Sequence, residues 1–281
     1  MSSVFHLISI GPSHYCEKAR WALERAGVIF QETKHMVVFH IFFTRGLGGG
    51  TSCPKLVMQG AGEDQQLGGS TGDRIVLQES TDILKFADKN IADKHDRLYP
   101  DDPELLKLVE SWESKFGKNL GPNVRCWAYS YLLYDKSSYR LMTQGASITE
   151  QIFAWILMPL IRPLVGKNLK LDRPGTREKS LAVVESIFKE VDESLANGHA
   201  FICGDRFTAA DLTFAALGGP MVVPPEYGAW APSIEECPKE MASTMLRLRD
   251  TAAGKHILKM YETERNKVVY KQVVYKQSQN H

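Results

Sequence analysis

The chain has 281 residues, of which 43% are hydrophobic and 24% are charged, so it is long enough for two domains and large-scale disorder is excluded. Its 34 basic and 33 acidic residues are interleaved and give a formal charge of +1, so we expect neither a nucleic-acid partner nor attraction to an anionic membrane. The five cysteines form no Cys-x-x-Cys pair and no zinc spacing, which favours free thiols in a reducing compartment and predicts no metal site.

The beginning of the chain and its most apolar stretch bear on where the protein works. The first residues lack the basic and then apolar segments of a secretory signal. Residues 152–161 form the most apolar stretch, which is well short of the roughly twenty residues needed to cross a bilayer. We therefore expect a soluble, cytoplasmic protein without a membrane partner.

The first predicted elements are a buried strand and a helix. Residues 4–10 are mostly apolar, and Gly11-Pro12 ends the strand. Apolar residues at helical spacing follow, up to a glycine that would cap the helix. Ser13 and Cys16 therefore lie where unpaired backbone amides and the positive end of the helix dipole favour a thiolate, an alkoxide or a bound carboxylate.

The next segment extends this unit to a β-α-β arrangement. Residues 28–33 predict a second strand parallel to the first, since a helix separates the two. Residues 39–50, which include His40, predict a short helix and a loop. Pro54 follows Cys53 at the start of a third strand, where the missing N–H of a proline is tolerated.

A further strand and helix close this half of the chain. A long polar loop over residues 59–74 precedes a short strand at 75–77. Glu79 and Ser80 begin the helix after that strand. Together they offer a carboxylate to an ammonium group, and backbone amides with a hydroxyl to a carboxylate.

Helical patterns dominate the remaining chain, which begins after a charged, proline-containing segment. Residues 104–120, 148–164 and 177–195 are helix candidates. Thr208 and Asp211 have the spacing of an N-cap and its N3 carboxylate, so Asp211 is expected to serve folding rather than catalysis. The tail repeats Val-Val-Tyr-Lys-Gln at 268–272 and 273–277, which suits a docked strand or an ordered arm.

Four of these strings resemble strings of the serine-type cytosolic glutathione transferases. Ser13-His14-Tyr15-Cys16 resembles the thioredoxin-like active-site turn with serine in place of its first cysteine. Cys53-Pro54-Lys55-Leu56 is similar to the family's Val-Pro-x-Leu element, in which the proline is cis. The string that begins at Glu79-Ser80 resembles the γ-glutamyl site, and residues 204–212 resemble the capping box of the family's helical domain.

The resemblance implies an architecture. An α/β thioredoxin-like domain would occupy residues 1–88, a linker 89–103, and an all-α helical domain 104–281, in a protein that forms a homodimer. The class within the superfamily stays open, because the 59–74 loop, the segment at 135–175 and the tail exceed the usual pattern.

The resemblance also implies a chemistry in which glutathione is a co-substrate and no dissociable cofactor takes part. Its thiolate would attack a small hydrophobic electrophile, or a peroxide, held against the helical domain, as in detoxification. Ser13 would donate a hydrogen bond to the glutathione sulfur, as the catalytic hydroxyl. The glutathione-binding residues would be Cys53 and Pro54 at its backbone, Glu79 and Ser80 at its γ-glutamyl end, and His40 at its glycyl carboxylate.

Aromatic residues of the helical half are either lining for an electrophile pocket or ordinary core. The candidates are Trp112, Phe116, Trp127 and Tyr129.

Three alternatives remain open from the sequence. Cys16 or Cys53 would form a mixed disulfide with glutathione in a thiol transferase or reductase. The protein would bind glutathione conjugates or hydrophobic ligands without catalysis in the second alternative. In the third, Ser9 would take the place of the catalytic hydroxyl.

Overall fold

The computed structural model describes residues 4–48, 50–59 and 74–268 of the chain. Most of the predicted 59–74 loop and nearly all of the repeated tail lie outside these residues. Within these residues the first half has four strands and three α-helices: β1 (Val4–Ile10), α1 (His14–Arg25), β2 (Phe30–His35), α2 (His40–Thr44), β3 (Lys55–Gln59), β4 (Arg74–Leu77) and α3 (Ser80–Lys89).

These strands form one mixed sheet in the order β2-β1-β3-β4. β1 and β2 are parallel through the α1 crossover, as predicted, and β3 is antiparallel to both β1 and β4. Ser13 caps α1 by accepting a hydrogen bond from the Cys16 amide at 3.4 Å, and Gly27, at φ +62°, follows its C-terminal end. The sequence prediction for this end of the sheet is confirmed.

The second half is helical within the described residues. Its elements are α4 (Pro103–Lys115), a π-helical turn (Phe116–Leu120), α5 (Gly121–Leu132), α6 (Ser138–Thr143), α7 (Ile148–Asn168), α8 (Thr176–Leu195), α9 (Ala209–Val222), α10 (Lys239–Asp250) and α11 (Ala252–Glu264). An α/β thioredoxin-like half followed by an all-α half is the predicted fold class, which is thereby confirmed.

Helix α9 is the centre of the helical half. Almost all of its side chains are buried. The predicted capping box starts it, with the Thr208 amide donating to Asp211 Oδ2 at 3.0 Å. Asp211 also accepts a hydrogen bond from the Ile202 amide at 2.9 Å and lies 3.0 Å from His256 Nε2. The hydrogen-bonding capacity of this carboxylate is therefore satisfied by structural contacts.

One hydrophobic core runs through both halves. It joins α1 and α3 on the sheet to α4, α5, α8, α9 and α11. A buried ion pair crosses the same boundary, because Lys18 of α1 lies 2.7 Å from Glu113 of α4. Tyr15 adds a hydrogen bond from its hydroxyl to the Gly117 carbonyl at 2.7 Å. The two halves are therefore held in a fixed relation around the start of α1.

Helix α7 begins where the predicted helix at 148–164 begins and continues to Asn168. The helix has 21 residues and includes Pro159 and Pro163. Among the described residues it is the one helix long and apolar enough to span a bilayer, and 28% of its most apolar segment is buried. Its inner face covers a second, smaller core that contains Ala154 and Met158, and Glu150 anchors it to β2 through His35 Nδ1 at 2.8 Å.

Candidate active site

A cavity of about 1020 Å³ lies where the end of β1 and the start of α1 face the helical half. From the first half it is lined by Ser13, His40 and Cys53, three of the predicted site residues. From the second half it is lined mainly by apolar side chains of α5, of the end of α7 and of the segment after α9. The fold thus places the predicted hydroxyl opposite an apolar wall.

Ser13 occupies the N-cap of α1 and is half-buried in this cavity. Its contact with the Cys16 amide is long, at 3.4 Å, and a hydroxyl proton rotates to suit its acceptor. The positive end of the α1 dipole lies at the same position. A sulfur atom bound here would meet a hydroxyl donor and a helix N-terminus together.

Cys16 lies one turn further along α1 and is fully buried outside the cavity lining. Its Sγ accepts from the Ile10 amide at 3.4 Å. Burial raises the pKa of this thiol. The charge of Arg20 and hydrogen bonding to Ile10 and Ser13 only reduce the rise. The thiol is therefore held in its neutral form inside the core.

Cys53 and Pro54 begin the β3 side of the cavity. The peptide bond between them is cis, as the resemblance implies. Cys53 lines the cavity and is half-buried, whereas Pro54 is buried behind it. Burial raises the pKa of the Cys53 thiol, and the neighbouring Cys16 adds to the rise. Cys53 therefore brings a neutral thiol to the cavity just before the start of β3.

His40 is the first residue of α2 and lines the cavity beside Val38 and Ile41. Burial lowers the pKa of its imidazole, and its Nδ1 is buried without a hydrogen-bond partner among the described residues. A neutral imidazole contributes a hydrogen bond rather than a positive charge to a carboxylate.

Glu79 and Ser80 lie apart from this cavity. They form the N-terminus of α3, where Glu79 is exposed and Ser80 is buried. Neither lines the cavity that contains Ser13. Glu79 nevertheless affects a cavity residue, Tyr15. Burial is the main cause of the raised pKa of Tyr15, and the negative charge of Glu79 adds to the rise. The structure thus brings three of the predicted residues together and leaves this pair to one side.

The aromatic candidates divide sharply. Tyr129 lines the cavity, and burial raises its pKa to about 12. Phe116 and Trp127 are fully buried in the main core, and Trp112 stacks on Phe116 with ring centroids 5.3 Å apart. None of these three lines the cavity, so of the two alternatives they belong to the core.

Ser9, the third alternative, is fully buried in β1 and donates to Glu32 Oε1 at 2.5 Å. It does not line the cavity. Its hydroxyl is satisfied by a structural contact between neighbouring strands, which removes support for a catalytic serine at this position.

Sequence reasoning missed several cavity residues. Tyr227 and Trp230 come from the Pro-rich segment after α9, and Trp230 is held by its amide, which donates to Gln144 Oε1 at 2.8 Å. His14 also lines the cavity, although the sequence marks it only as part of the Ser-x-x-Cys motif. Burial, together with the charge of Arg125, lowers the pKa of its imidazole to about 3. Two aromatic residues in a proline-rich loop were the available signal.

The described residues contain no group of three or more His, Cys, Asp or Glu side chains arranged to hold a metal ion.

Comparisons with known proteins were made by sequence and by structure. Neither a protein-family model nor a curated protein sequence matches the chain. Among solved structures, the β-etherase LigF from Sphingobium sp. strain SYK-6 is 16% identical, with 91% of this chain and 98% of that chain covered and a TM-score of 0.55.

Two further structures are glutathione transferases solved with glutathione species. One from Burkholderia graminis, with two glutathione molecules bound per subunit, is 15% identical over 91% of this chain and 82% of that chain, with a TM-score of 0.51. URE2P6 from Phanerochaete chrysosporium, in complex with oxidized glutathione, is 12% identical over 92% and 96% of the two chains, with a TM-score of 0.52. This chain therefore has the fold of the glutathione transferases.

Proposed function

We propose that the protein is a cytosolic glutathione transferase that conjugates the glutathione thiolate to small hydrophobic electrophiles. The observation that carries the proposal is Ser13, which stands at the N-terminus of α1 in a cavity with an apolar wall. Free thiols have a pKa near 8.5, so such an enzyme has to favour the thiolate, and a hydroxyl donor with helix amides does so.

In the proposed reaction the glutathione thiol releases its proton to solvent, and the Ser13 hydroxyl donates to the resulting thiolate. The sulfur then attacks the electrophilic carbon, a carbon–sulfur bond forms, and the leaving group departs with its electron pair. Cys53 and Pro54 would align the glutathione backbone, His40 would bond the glycyl carboxylate, and the γ-glutamyl end would extend towards Glu79 and Ser80.

The same site would reduce hydroperoxides. The thiolate would attack the peroxide oxygen, giving an alcohol and the sulfenic acid of glutathione. A second glutathione would then form the disulfide and release water.

We extend the proposal to a cytoplasmic homodimer that acts in detoxification, as the resemblance implies. Its domains would be residues 1–88 and 104–281, joined by a linker at 89–103.

The deciding experiment is titration calorimetry with glutathione, followed on the same sample by conjugation assays with aryl halides, isothiocyanates and hydroperoxides. We expect binding with turnover. Ser13→Ala should lower kcat/KM about 100- to 1,000-fold near neutral pH and shift the pH profile of conjugation to higher pH, because removal of one donor to a developing anion costs this much in comparable sites.

The matched control is Ser52→Ala, since Ser52 also lines the cavity but caps no helix. The loss of the α1 cap in Ser13→Ala costs about 1 kcal/mol of stability, so assays belong well below the unfolding temperature. Conjugation that is unchanged in Ser13→Ala and reduced in Ser52→Ala contradicts the assignment.

The second candidate function is thiol transfer, which Cys53 favours by lining the cavity beside a cis proline. The Cys53 thiolate would attack a mixed disulfide of glutathione and release the other thiol. The raised pKa of Cys53 is unfavourable for this step. Loss of activity in Cys53→Ser, with Ser13→Ala unaffected, would replace the first candidate by the second.

A further inference from the structure

The charged side chains around the cavity are of nearly one sign. Four cations line it: Arg125, Lys167, Lys170 and Arg173. Among the described residues that line the cavity, Asp172 is the only one with a carboxylate. The chain as a whole carries a formal charge of only +1, so this surplus is local and does not reflect a basic protein.

These cations also lack the partners that other surface cations have. Within the described residues, none of the four lies within 4 Å of a carboxylate oxygen, whereas Lys85 and Lys94 lie 2.7 Å and 3.0 Å from Glu110 and Asp101. A cation at the rim of an apolar cavity loses part of its hydration when a neutral ligand fills the cavity, and this loss costs free energy unless an anion compensates it.

The segment that carries three of the cations is held in place. At the end of α7, the Leu171 amide donates to the Gly166 carbonyl at 2.9 Å, and Thr176 Oγ1 donates to the Lys170 carbonyl at 3.0 Å. The Leu169 carbonyl accepts from Cys126 Sγ of α5 at 3.6 Å. The cations at 167–173 are thereby fixed beside Arg125, the neighbour of Cys126 in the chain.

Arg125 reaches the reacting end of the cavity. Its charge contributes to the lowered pKa of His14, after burial. It also opposes the rise that burial produces in the pKa of Tyr15 and Tyr129, which lie at about 12. All three of these side chains line the cavity, so the field of Arg125 falls inside it.

The cations lie on the helical half, whereas the residues proposed to bind glutathione lie on the thioredoxin-like half. We propose that the second substrate is an amphipathic anion, an apolar body of small-molecule size that carries a carboxylate, sulfonate or phosphate group. Its apolar body would lie against Tyr129, Leu164 and Trp230, and its anionic group against Lys167, Lys170 and Arg173. This inference rests on the proposed function and names the substrate class for the same site.

The first test compares two fluorescent dyes of one shape on the intact protein: anilinonaphthalene sulfonate, which is anionic, and N-phenylnaphthylamine, which lacks the sulfonate. We expect Lys167→Gln, Lys170→Gly and Arg173→Gln each to weaken binding of the anionic dye about two- to fivefold, the range of single exposed ion pairs, and to leave the neutral dye unchanged. Raising the salt concentration should weaken only the anionic dye.

Lys170→Gly is a particularly clean variant. Lys170 has φ +57°, in the left-handed region where glycine is the favoured residue, so the change removes the charge without a loss of stability. Lys107→Gln is the matched control, since Lys107 is an exposed helical cation remote in sequence from the cavity segments. The exposed apolar face of α7 also attracts dyes, so the response to the variants assigns the site.

The second test compares conjugation of chloromethylbenzoate and chloromethylbenzamide to glutathione. The expected kcat/KM ratio favours the benzoate and falls in the three cation variants but not in Lys107→Gln. Equal turnover of both, insensitive to the variants, overturns the inference and leaves the proposed function intact. If the variants weaken binding of the anionic dye alone but no conjugation is detected, the anion-binding pocket is supported and the proposed function is contradicted. Equal responses of both dyes to the variants overturn the inference outright.

Discussion

His14 is buried at the first position of α1, with about 4% of its surface exposed. Burial, with the charge of Arg125, lowers its pKa to about 3, and the nearby Gly121 backbone opposes this only in part. Between that value and the ordinary pKa of 6.5, the unfolded chain binds one proton more than the folded chain. The stability from this group is therefore complete above pH 6.5 and is lost as the pH falls towards 3.

We predict that His14→Asn, which keeps a side-chain amide donor but does not titrate, flattens the pH dependence of the free energy of unfolding. The wild type should lose more stability than the variant between pH 6.5 and 5, by up to about 1.4 kcal/mol per pH unit. Urea unfolding at several pH values measures this. His95→Asn, at an exposed position, is the control, and a variant slope equal to that of the wild type would contradict the prediction.

The residues of the cavity show what local sequence can and cannot reveal. The sequence correctly predicted that Ser13 and Cys16 lie at the start of α1 and that Pro54 lies at the start of β3. Each of these predictions depends on a motif of only a few residues, such as Gly-Pro, Ser-x-x-Cys or a proline before a strand. Trp230 was missed because its position depends on Gln144, far away in the chain, and its own segment has no periodicity. The four cations were missed because a sum of charges over the chain hides a local excess.

At the scale of elements, α1 and α4 are joined by a charged cluster that water does not reach. Lys18 is 1% exposed and Glu113 is 3% exposed. The carboxylate of Glu113 also accepts from Thr81 Oγ1 at 2.9 Å and from the Tyr99 hydroxyl at 2.7 Å. Removing one member would leave a buried charge without its partner.

We predict that Lys18→Met lowers the free energy of unfolding by about 3 to 5 kcal/mol, and that adding Glu113→Leu recovers part of the loss. Lys85→Met is the control, because the Lys85–Glu110 pair also joins α4 but is 44% and 45% exposed, and such pairs contribute about 1 kcal/mol or less. Chemical denaturation of the four proteins checks the prediction. Similar losses in Lys18→Met and Lys85→Met would argue against it.

Helix α7 continues four residues past its predicted end at residue 164. Pro159 and Pro163 lie inside the helix on its exposed side, where solvent can satisfy the carbonyls that lose their partners. On the opposite side, Met158, Ile161 and Val165 keep the helix against the smaller core. Burial of that face is a tertiary contact, so single-sequence reasoning could not use it to place the end of the helix.

At the scale of the whole molecule, α11 packs on the first helix of the chain. Arg265 Nε donates to the fully buried Glu17 at 2.6 Å, and the Trp21 indole donates to the Glu264 carbonyl at 3.2 Å. Arg25 also pairs with Glu264 at 2.8 Å. The sequence predicted α1 and its length but not these contacts, because nothing local to Glu17 specifies a partner 248 residues away.

We predict that Arg265→Ala destabilises the protein by about 2 to 4 kcal/mol, somewhat less than a lone buried pair because Arg20 also bonds Glu17. Tryptophan fluorescence and far-UV circular dichroism should report one coincident unfolding transition, since α11 and the sheet share a core. Lys267→Ala is the control, because that side chain is about half exposed. Two separate transitions in the wild type would show that the halves unfold independently.

The pairing of Glu17 with Arg265 also bears on how the protein is made. At about 5 to 20 residues per second, the 248 residues between them take roughly 12 to 50 s to synthesise. Throughout that interval, Glu17 and Trp21 of the nascent first half lack the contacts with α11 and Arg265 that bury them in the folded protein. Ribosome-bound chains are thus exposed to chaperones and proteases until residue 265 has left the ribosome.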